Sequence, residues 1–236
     1  MKHFIQFLQH QISSSHCILC NKEADIEISL CPQCINNLPI NQQACIYCAI
    51  PLSSNTKQLI CGHCQKNPFI FDQSFSPFLY HDSIIPLIHQ LKYQEKLYIA
   101  RTLAKLFTHQ LQKINFRKPD ALVPIPLHTS KYKQRGYNQT QEITNFISKE
   151  LHIPIDNQLL VRKKPTISQQ SLNAKQRQNN MKDAFEVKQE NNMIKNYHHI
   201  TLIDDVMTTG NTLQSAAKQL KKSGISVIDT WTIARA

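Results

Sequence analysis

Eight cysteines near the N-terminus form the most regular chemical pattern in the sequence. A C-x-x-C pair supplies two thiolates to one metal ion, and two such pairs facing each other form the tetrahedral four-cysteine site typical of structural zinc. The four pairs are Cys17 and Cys20, Cys31 and Cys34, Cys45 and Cys48, and Cys61 and Cys64. The spacing therefore predicts two structural zinc ions.

The partition of the four pairs between two ions is open in the sequence, because sequential and interleaved arrangements both use every cysteine. Sequential pairing, with one site from Cys17 to Cys34 and one from Cys45 to Cys64, closes shorter loops at a smaller entropy cost. A disulfide framework instead needs an export signal, for which Met1 to Ser15 is a poor candidate. A redox C-x-x-C is typically a single pair that follows a strand.

A second chemical pattern lies near the C-terminus. An apolar strand ends in Asp204 and Asp205, and a Thr-Thr-Gly-Asn-Thr turn over residues 208–212 then opens a helix. Helix-start N–H groups, threonine hydroxyls and a glycine that allows close backbone approach all suit a phosphate dianion. Two carboxylates at a strand end can accept hydrogen bonds from vicinal ribose hydroxyls. The pattern predicts a sugar-phosphate site, since a plain strand-to-helix turn explains only one aspartate and one threonine.

Positive charge is concentrated in the second half of the chain. The net charge is +11, and residues 131–188 contain eleven lysines and arginines against five acids, which excludes an acidic disordered chain. The segment Lys131 to Tyr137 interleaves cations with aromatic rings, which suits either pyrophosphate or a single nucleic-acid strand. A solvated basic loop explains Lys131 and Lys133 equally well. For Arg135 we predict a ligand-binding role.

Alternating strands and helices must position these residues. The periodicity predicts strands over residues 74–80, 120–125, 158–162, 199–203 and 225–234, and helices over 84–91, 95–114, 138–150 and 212–222. Asn138 is the expected N-cap of the third helix. This order indicates an α/β fold with a parallel sheet flanked by helices, in which ligands bind at the carboxyl ends of the strands.

Three units are expected along the chain. Residues 1–13 form an amphipathic helix, 14–68 form a zinc module held together by metal rather than by an apolar core, and 69–236 form the α/β domain. The longest apolar run has about seven residues, far below the ~18 that a membrane span requires. We expect a cytoplasmic protein.

The string around Asp204 and Asp205 resembles the phosphoribosyl pyrophosphate (PRPP) signature of type I phosphoribosyltransferases, which is four mostly apolar residues, two acids and T-T-G-x-T. Further motifs narrow the resemblance to the ComF/ComFC/GntX family of competence proteins. These are the four cysteine pairs, Leu91-Lys92-Tyr93, Val123-Pro124-Ile125-Pro126-Leu127-His128, Arg135-Gly136-Tyr137-Asn138-Gln139, and Arg162 with Thr166, Gln169, Leu172, Arg177, Asn180 and Phe185. The resemblance runs from Cys17 to the end, with Tyr137 in place of the usual phenylalanine.

The resemblance implies a type I phosphoribosyltransferase fold with an N-terminal double zinc ribbon. It implies that Asp204 and Asp205 hold the ribose hydroxyls of PRPP, directly or through Mg²⁺, and that Arg135 completes the catalytic set. A non-standard peptide is expected in the turn Pro124 to His128, which occupies the place of the pyrophosphate loop. The implied PRPP-binding residues are Pro124, Ile125, Pro126, Asp204, Asp205, Val206, Met207, Thr208, Thr209, Gly210, Asn211 and Thr212. The residues assigned to DNA are Lys131, Lys133, Arg135, Tyr137, Arg162, Lys163, Lys164 and Arg177.

The function that the resemblance implies is the handling of incoming single-stranded DNA during natural transformation. The expected partners are single-stranded DNA, PRPP and a competence helicase resembling ComFA or another DNA-processing protein, and the expected place is the cytoplasm or the inner face of its membrane. Two other functions stay open. One is an active phosphoribosyltransferase that acts on a base or nucleotide, and the other is a zinc-ribbon adaptor whose PRPP loop is a relic.

Overall fold

The structure is a computed structural model of the 236-residue chain. It describes residues 16–53, 59–94, 96–163, 184–188 and 197–236. The helix predicted over residues 1–13 lies outside these ranges. Within them, no helix is both long enough and apolar enough to span a membrane.

A parallel sheet forms the centre of the described fold. The strands are β1 (Gln73–Phe75), β2 (Phe78–Leu79), β3 (Ala121–Pro124), β4 (Leu160–Arg162), β5 (Phe185–Val187), β6 (His199–Met207) and β7 (Val227–Arg235). β6 and β7 lie in the middle of the sheet, β3 pairs with β6, and β1 and β2 both pair with β7. β4 and β5 form a separate antiparallel pair. The predicted α/β class with a parallel sheet is confirmed.

Helices cover both faces of this sheet. They are α1 (Pro32–Asn36), α2 (Gly62–Lys66), α3 (Ile84–Tyr93), α4 (Tyr98–Leu111), α5 (Thr129–Arg135), α6 (Gln139–Leu151) and α7 (Asn211–Lys222). One core, under α3, α4 and α6, contains Phe107 and Ile203, and the other, under α7, contains Leu202 and Leu213. Ile203 and Leu202 belong to different cores because successive side chains of a strand point to opposite faces.

Tertiary pairing shifts two of the predicted strands. The strand predicted over 74–80 is interrupted at Ser76 and Pro77, where proline has no N–H for the ladder. The strand predicted to end at residue 203 continues to Met207, because β7 pairs with it up to Arg235. The predicted N-cap is confirmed, since the Asn138 side chain accepts a hydrogen bond from the Thr140 N–H at 3.0 Å.

The cysteine-rich region contributes to the main core. Leu30 and Leu38 are buried in the same apolar cluster as Phe107. The Thr102 hydroxyl of α4 donates to the Ile28 carbonyl at 2.7 Å, which ties the region to the helical face. Leu30 and Leu38 therefore attach this region to the α/β domain, in addition to the metal that is expected to hold it together.

Candidate functional site

Two clusters of four cysteines are already assembled. Their members are Cys17, Cys20, Cys31 and Cys34 in the first, and Cys45, Cys48, Cys61 and Cys64 in the second, with the Sγ atoms of each cluster all within 4.8 Å of one another. The Cys20 and Cys31 Sγ atoms are 3.6 Å apart, and those of Cys48 and Cys61 are 3.7 Å apart. Thiolates at Zn–S bonds of about 2.3 Å in a tetrahedron stand about 3.8 Å apart. The geometry fits zinc and confirms the sequential pairing.

The electrostatics of the thiols also suit a dication. Burial raises the pKa of the Cys48 thiol to about 11. At Cys17 and Cys45 burial is outweighed by backbone N–H donors, which lower the pKa to about 6 and about 7. Four adjacent thiolates repel one another, and a bound Zn²⁺ offsets that repulsion and supplies folding energy.

An acid pair stands at the carboxyl edge of the sheet. The pairing of β3 with β6 ends where Pro124 faces Ile203, so the next two residues, Asp204 and Asp205, extend beyond β3. On the other side β6 remains paired with β7, with Asp204 opposite Thr232. The two carboxylates therefore lie beyond the end of β3, at an edge of the sheet that we call the notch.

Side chains from α3 and α6 hold the acid pair. Lys92 Nζ lies 2.6 Å from Asp205 Oδ2, and Gln139 Nε2 donates to the same oxygen at 3.1 Å. The Thr140 hydroxyl donates to Asp204 Oδ1 at 3.4 Å. Gln139 and Thr140 are the first residues of α6, so the cap at Asn138 fixes both donors.

The environment of Asp204 favours its protonated form. Burial, together with the negative charge of Asp205, raises the pKa of Asp204 to about 7, although Lys92 and Arg162 act in the opposite direction. Burial also tends to lower the pKa of Lys92, but Asp205 outweighs it and the pKa is raised. At neutral pH Asp204 is thus poised to lose a proton when a cation or a hydrogen-bond donor arrives.

Four cations surround the two acids. They are Lys92 of α3, Lys131 and Arg135 of α5, and Arg162 of β4. Burial lowers the pKa of Lys131, and the nearby positive charges of Arg162, Arg135 and Lys92 lower it further. Burial also lowers the pKa of Arg162, whose guanidinium lies 5.3 Å above the Phe185 ring. The excess of positive charge makes the notch suitable for a polyanion.

The phosphate loop, residues 208–212, adjoins the acid pair. Thr208 and Thr209 are exposed, and Gly210 caps α7 in the left-handed conformation, with φ of +76°. Phe69 lies against this glycine, since a Cβ at position 210 would be 2.9 Å from its Cε1. The glycine therefore allows both the turn and the close approach of Phe69. It precedes a helix start, where backbone N–H groups can bind an anion.

Known proteins resemble this chain over nearly its whole length. The double zinc ribbon domain family matches residues 10–65. Competence protein F of Haemophilus influenzae is 34% identical over 233 residues, covering 93% of this chain and 96% of that protein. The chain belongs to the ComF family of competence proteins. DNA utilization protein YhgH of Escherichia coli strain K12 is 28% identical over 223 residues, covering 93% and 89% of the two chains. Competence protein ComFC of Bacillus subtilis is 24% identical over 242 residues, covering 93% and 94%.

Several site residues predicted for this ComF-family chain come together in the structure. Asp204, Asp205, Lys131, Arg135 and Arg162 all lie around the notch at the edge of the sheet. The turn after β3 is held beside them, because Asn138 Nδ2 donates to the Ile125 carbonyl at 3.0 Å and the Ile125 N–H donates to the Ile203 carbonyl at 2.9 Å.

The PRPP residues implied by the ComF resemblance are not all equally accessible. Pro124, Ile125 and Met207 are buried, and the Met207 carbonyl accepts a hydrogen bond from Arg235 at 3.0 Å. Pro126 is half-buried, as are Val206, Asn211 and Thr212. The expected non-standard peptide is not found, since no cis peptide bond occurs in the described parts of the chain.

Other predicted residues lie elsewhere. Tyr137 is buried and its hydroxyl donates to the Leu91 carbonyl, so its proposed contact with DNA is wrong: the ring is a core element. Lys133 is exposed. It lies two residues after Lys131 on the same helix, and side chains at that spacing do not face each other. Lys163 pairs with Glu186 at 2.7 Å. Lys164 and Arg177 lie outside the described residues, as do Thr166, Gln169, Leu172 and Asn180.

Sequence reasoning missed three side chains that contact the acids. They are Lys92, Gln139 and Thr140. Lys92 and Gln139 belong to motifs that carry the ComF resemblance, and this was the signal that could have found them. Thr140 had no signal beyond its place close to an N-cap. Each reaches the acids through a tertiary contact between elements that are distant in sequence.

Proposed function

We propose that this chain is a competence protein required for natural transformation, and that it handles internalised single-stranded DNA in the cytoplasm with the help of a PRPP and Mg²⁺ site. The relatives named as competence proteins support the role in transformation. The observation that carries the PRPP site is the acid pair enclosed by four cations next to the phosphate loop.

The ribose of PRPP would bind to the acid pair. Asp204 and Asp205 present carboxylate oxygens that can accept hydrogen bonds from the 2′- and 3′-hydroxyls. The same oxygens suit Mg²⁺, which prefers carboxylates and retains several waters. On binding, a ribose hydroxyl or the metal would replace Lys92 as the partner of Asp205, and Lys92 would become available to the pyrophosphate.

The phosphates would occupy the two positive ends of the site. Residues 208–212 would hold the 5′-phosphate with helix-start N–H groups and threonine hydroxyls. Lys131, Arg135 and Arg162, with the turn over Pro124, Ile125 and Pro126, would hold the pyrophosphate. Guanidinium groups suit this task because they bind phosphate oxygens in a bidentate manner.

Calorimetry with PRPP and Mg²⁺ tests this site. Asp205→Asn should weaken PRPP binding by about tenfold or more, because a charge-assisted hydrogen bond contributes about 1.5–3 kcal/mol. Asp82→Asn is the matched control, since Asp82 is exposed and pairs only with the adjacent His81 among the described residues. Wild-type binding should tighten as the pH rises through about 7, where Asp204 becomes ionised. An absence of binding to the zinc-replete wild type would remove the PRPP half of the proposal.

DNA binding needs its own experiment. The cations around the notch, with Lys133, Lys163, Lys164 and Arg177, would neutralise backbone phosphates, so affinity for a single strand should fall steeply as salt rises. A titration at low salt that detects no binding would remove this half. As part of the DNA-handling function, the zinc ribbons would offer a docking surface for DNA or for a helicase partner.

An active phosphoribosyltransferase is the second candidate. In the proposed complex, the four cations would lie near the departing pyrophosphate and offset the charge that develops on it, which is the stabilisation that such a reaction needs. Release of pyrophosphate upon incubation of PRPP with nucleobases or nucleotides would favour this function. DNA binding without any such release favours a ligand role for PRPP.

A further inference from the structure

An exposed tyrosine lies at the mouth of the site. Tyr93, the last residue of α3, is 59% exposed and follows Lys92, whose ammonium group reaches Asp205. The Arg135 guanidinium carbon lies 5.1 Å from the centroid of the Tyr93 ring, and Arg135 Nη2 is 3.5 Å from the Tyr93 hydroxyl. An isolated exposed tyrosine is unremarkable, but this ring is held in place by a cation of the site.

Neighbouring groups fix the ring while leaving much of it open. The His89 ring lies one helical turn earlier, with its centroid 4.7 Å from that of Tyr93. Arg135 Nη1 donates to Gln139 Oε1 at 2.9 Å, and Gln139 in turn donates to Asp205. A chain of contacts thus connects Tyr93 to the acid pair. A ring that is already fixed loses little conformational entropy when a ligand stacks on it.

A groove continues from His89 towards the first zinc cluster. Its volume is about 630 Å³, and its walls include Ile85 and His89 of α3 and Ile18 from between Cys17 and Cys20. Gln90 and Lys96 add an amide and an ammonium group. Aromatic, amide and cationic groups follow one another along this path, a combination typical of surfaces that bind a single nucleic-acid strand.

We propose that Tyr93 is a stacking platform for one base of a single-stranded nucleic acid. Lys131 and Arg135 bind the adjacent backbone phosphates, and the groove between α3 and the first zinc cluster receives the next nucleotide. This inference rests on the proposed function of DNA handling and assigns it a surface. A single strand fits better than a free base, because the groove extends beyond the reach of one base.

The test measures the binding of a fluorescent oligothymidylate to the full-length, zinc-replete protein across a series of salt concentrations. Tyr93→Ala should weaken binding about 5- to 100-fold, as expected for the loss of one stacked base. The slope of log affinity against log salt should stay unchanged, because phosphate contacts are kept. Tyr93→Phe retains the ring and should bind within about twofold of the wild type.

Ile114→Ala is the control for the loss of an exposed apolar side chain. Ile114 is 47% exposed, three residues after the end of α4, and belongs to none of the segments assigned to the site. Its removal should change affinity by less than about twofold. Equal losses of affinity for the two alanine variants would overturn the stacking platform. A changed salt slope for Tyr93→Ala would also overturn it, because it would show that the ring acts only by placing Arg135. A thermal midpoint within a few degrees of the wild type for each variant shows that the comparison concerns binding.

Two further outcomes separate this inference from its premise. If the wild type fails to bind the oligonucleotide, the proposed function fails. If the wild type binds and Tyr93→Ala binds equally well, only the platform fails. The binding of thymidine monophosphate is measured in parallel. If it binds as tightly as the oligonucleotide and depends on Tyr93, the site is one for free nucleotides and the proposal of a single strand is overturned.

Discussion

The two cysteine clusters share their ligand chemistry but differ in what they contact. The first cysteine cluster packs against the helical core. Two of its members, Cys17 and Cys31, are buried in the same apolar core as Leu30. The second cluster lies next to the phosphate loop. Its buried members contact Phe69, which packs against Gly210, and the Arg235 side chain joins the Cys48 carbonyl to the Met207 carbonyl.

The difference separates a stabilising role from a positioning role. Loss of the first zinc should loosen the contact with α4 and lower stability, while the phosphate loop keeps its shape. Loss of the second should free Phe69 and the loop even if the sheet survives. This contrast can be tested without any ligand, by following hydrogen exchange of the backbone amides over residues 208–213.

The largest effect should come from removing one zinc ion at a time. Cys61→Ser and Cys20→Ser are a matched pair, because neither side chain is fully buried and serine leaves almost no cavity. Each should lower the zinc content from two ions to one. Only Cys61→Ser should accelerate exchange of the loop amides, by about tenfold or more, since local opening then costs less free energy. Equal acceleration in both variants would show that the loop reports global stability.

The contact between Phe69 and Gly210 should give the next largest effect. Gly210→Ala and Gly136→Ala impose the same backbone penalty, about 1–2 kcal/mol, because φ is +76° and +77° at the two positions. Only the first adds a clash with Phe69, since nothing lies within 4 Å of a Cβ at position 136. Its free energy of unfolding in urea should fall by about 1–3 kcal/mol more, the usual cost of overpacking.

A double-mutant cycle isolates that contact. Combining Gly210→Ala with Phe69→Ala should recover most of the excess loss, because the clash is removed while the backbone penalty remains. Additive losses would mean that Phe69 does not press on the loop.

Removing a side-chain hydrogen bond to either cysteine cluster should have a smaller effect on the free energy of unfolding. Arg235→Met removes the donors that now reach the Cys48 carbonyl at 2.7 Å and the Met207 carbonyl at 3.0 Å, although the Ala236 N–H still donates to Met207. Thr102→Val likewise removes the donor to the Ile28 carbonyl at the first cluster. Each change should cost about 1–3 kcal/mol of unfolding free energy. Faster exchange in the loop should accompany Arg235→Met alone. The same acceleration in Thr102→Val would contradict the division of roles.

Local patterns were enough to predict much of this architecture. Four C-x-x-C pairs predicted both clusters, and the alternation of strands and helices predicted the parallel sheet, because these signals depend on short-range spacing. The Asn138 cap was predictable for the same reason. The acid pair was found because a strand, two acids and a helix start occur in one continuous string.

Contacts between segments that are distant in the chain could not be predicted from the sequence. Lys92 is one residue from buried Leu91, and only the fold brings its ammonium group to Asp205. Tyr137 stands in a basic segment that suggests a surface, but Gly136, with φ of +77°, ends α5 and turns the chain so that the ring enters the core. The link between Phe69 and Gly210 joins two segments that share no sequence signal.

The smallest effect is expected at the ion pair between Lys105 and Glu27, which joins α4 to the first cluster. Lys105 lowers the pKa of Glu27, so the pair stabilises the fold above the ordinary glutamate pKa and ceases to do so as the pH falls through the lowered value. Because Glu27 is largely exposed, water and salt screen this attraction. Lys105→Ala should therefore leave the thermal midpoint and the zinc content unchanged at neutral pH, and any small difference should disappear in acid. A clear loss of midpoint at neutral pH would show that charge, rather than the burial of Leu30, holds the first cluster to the helical core.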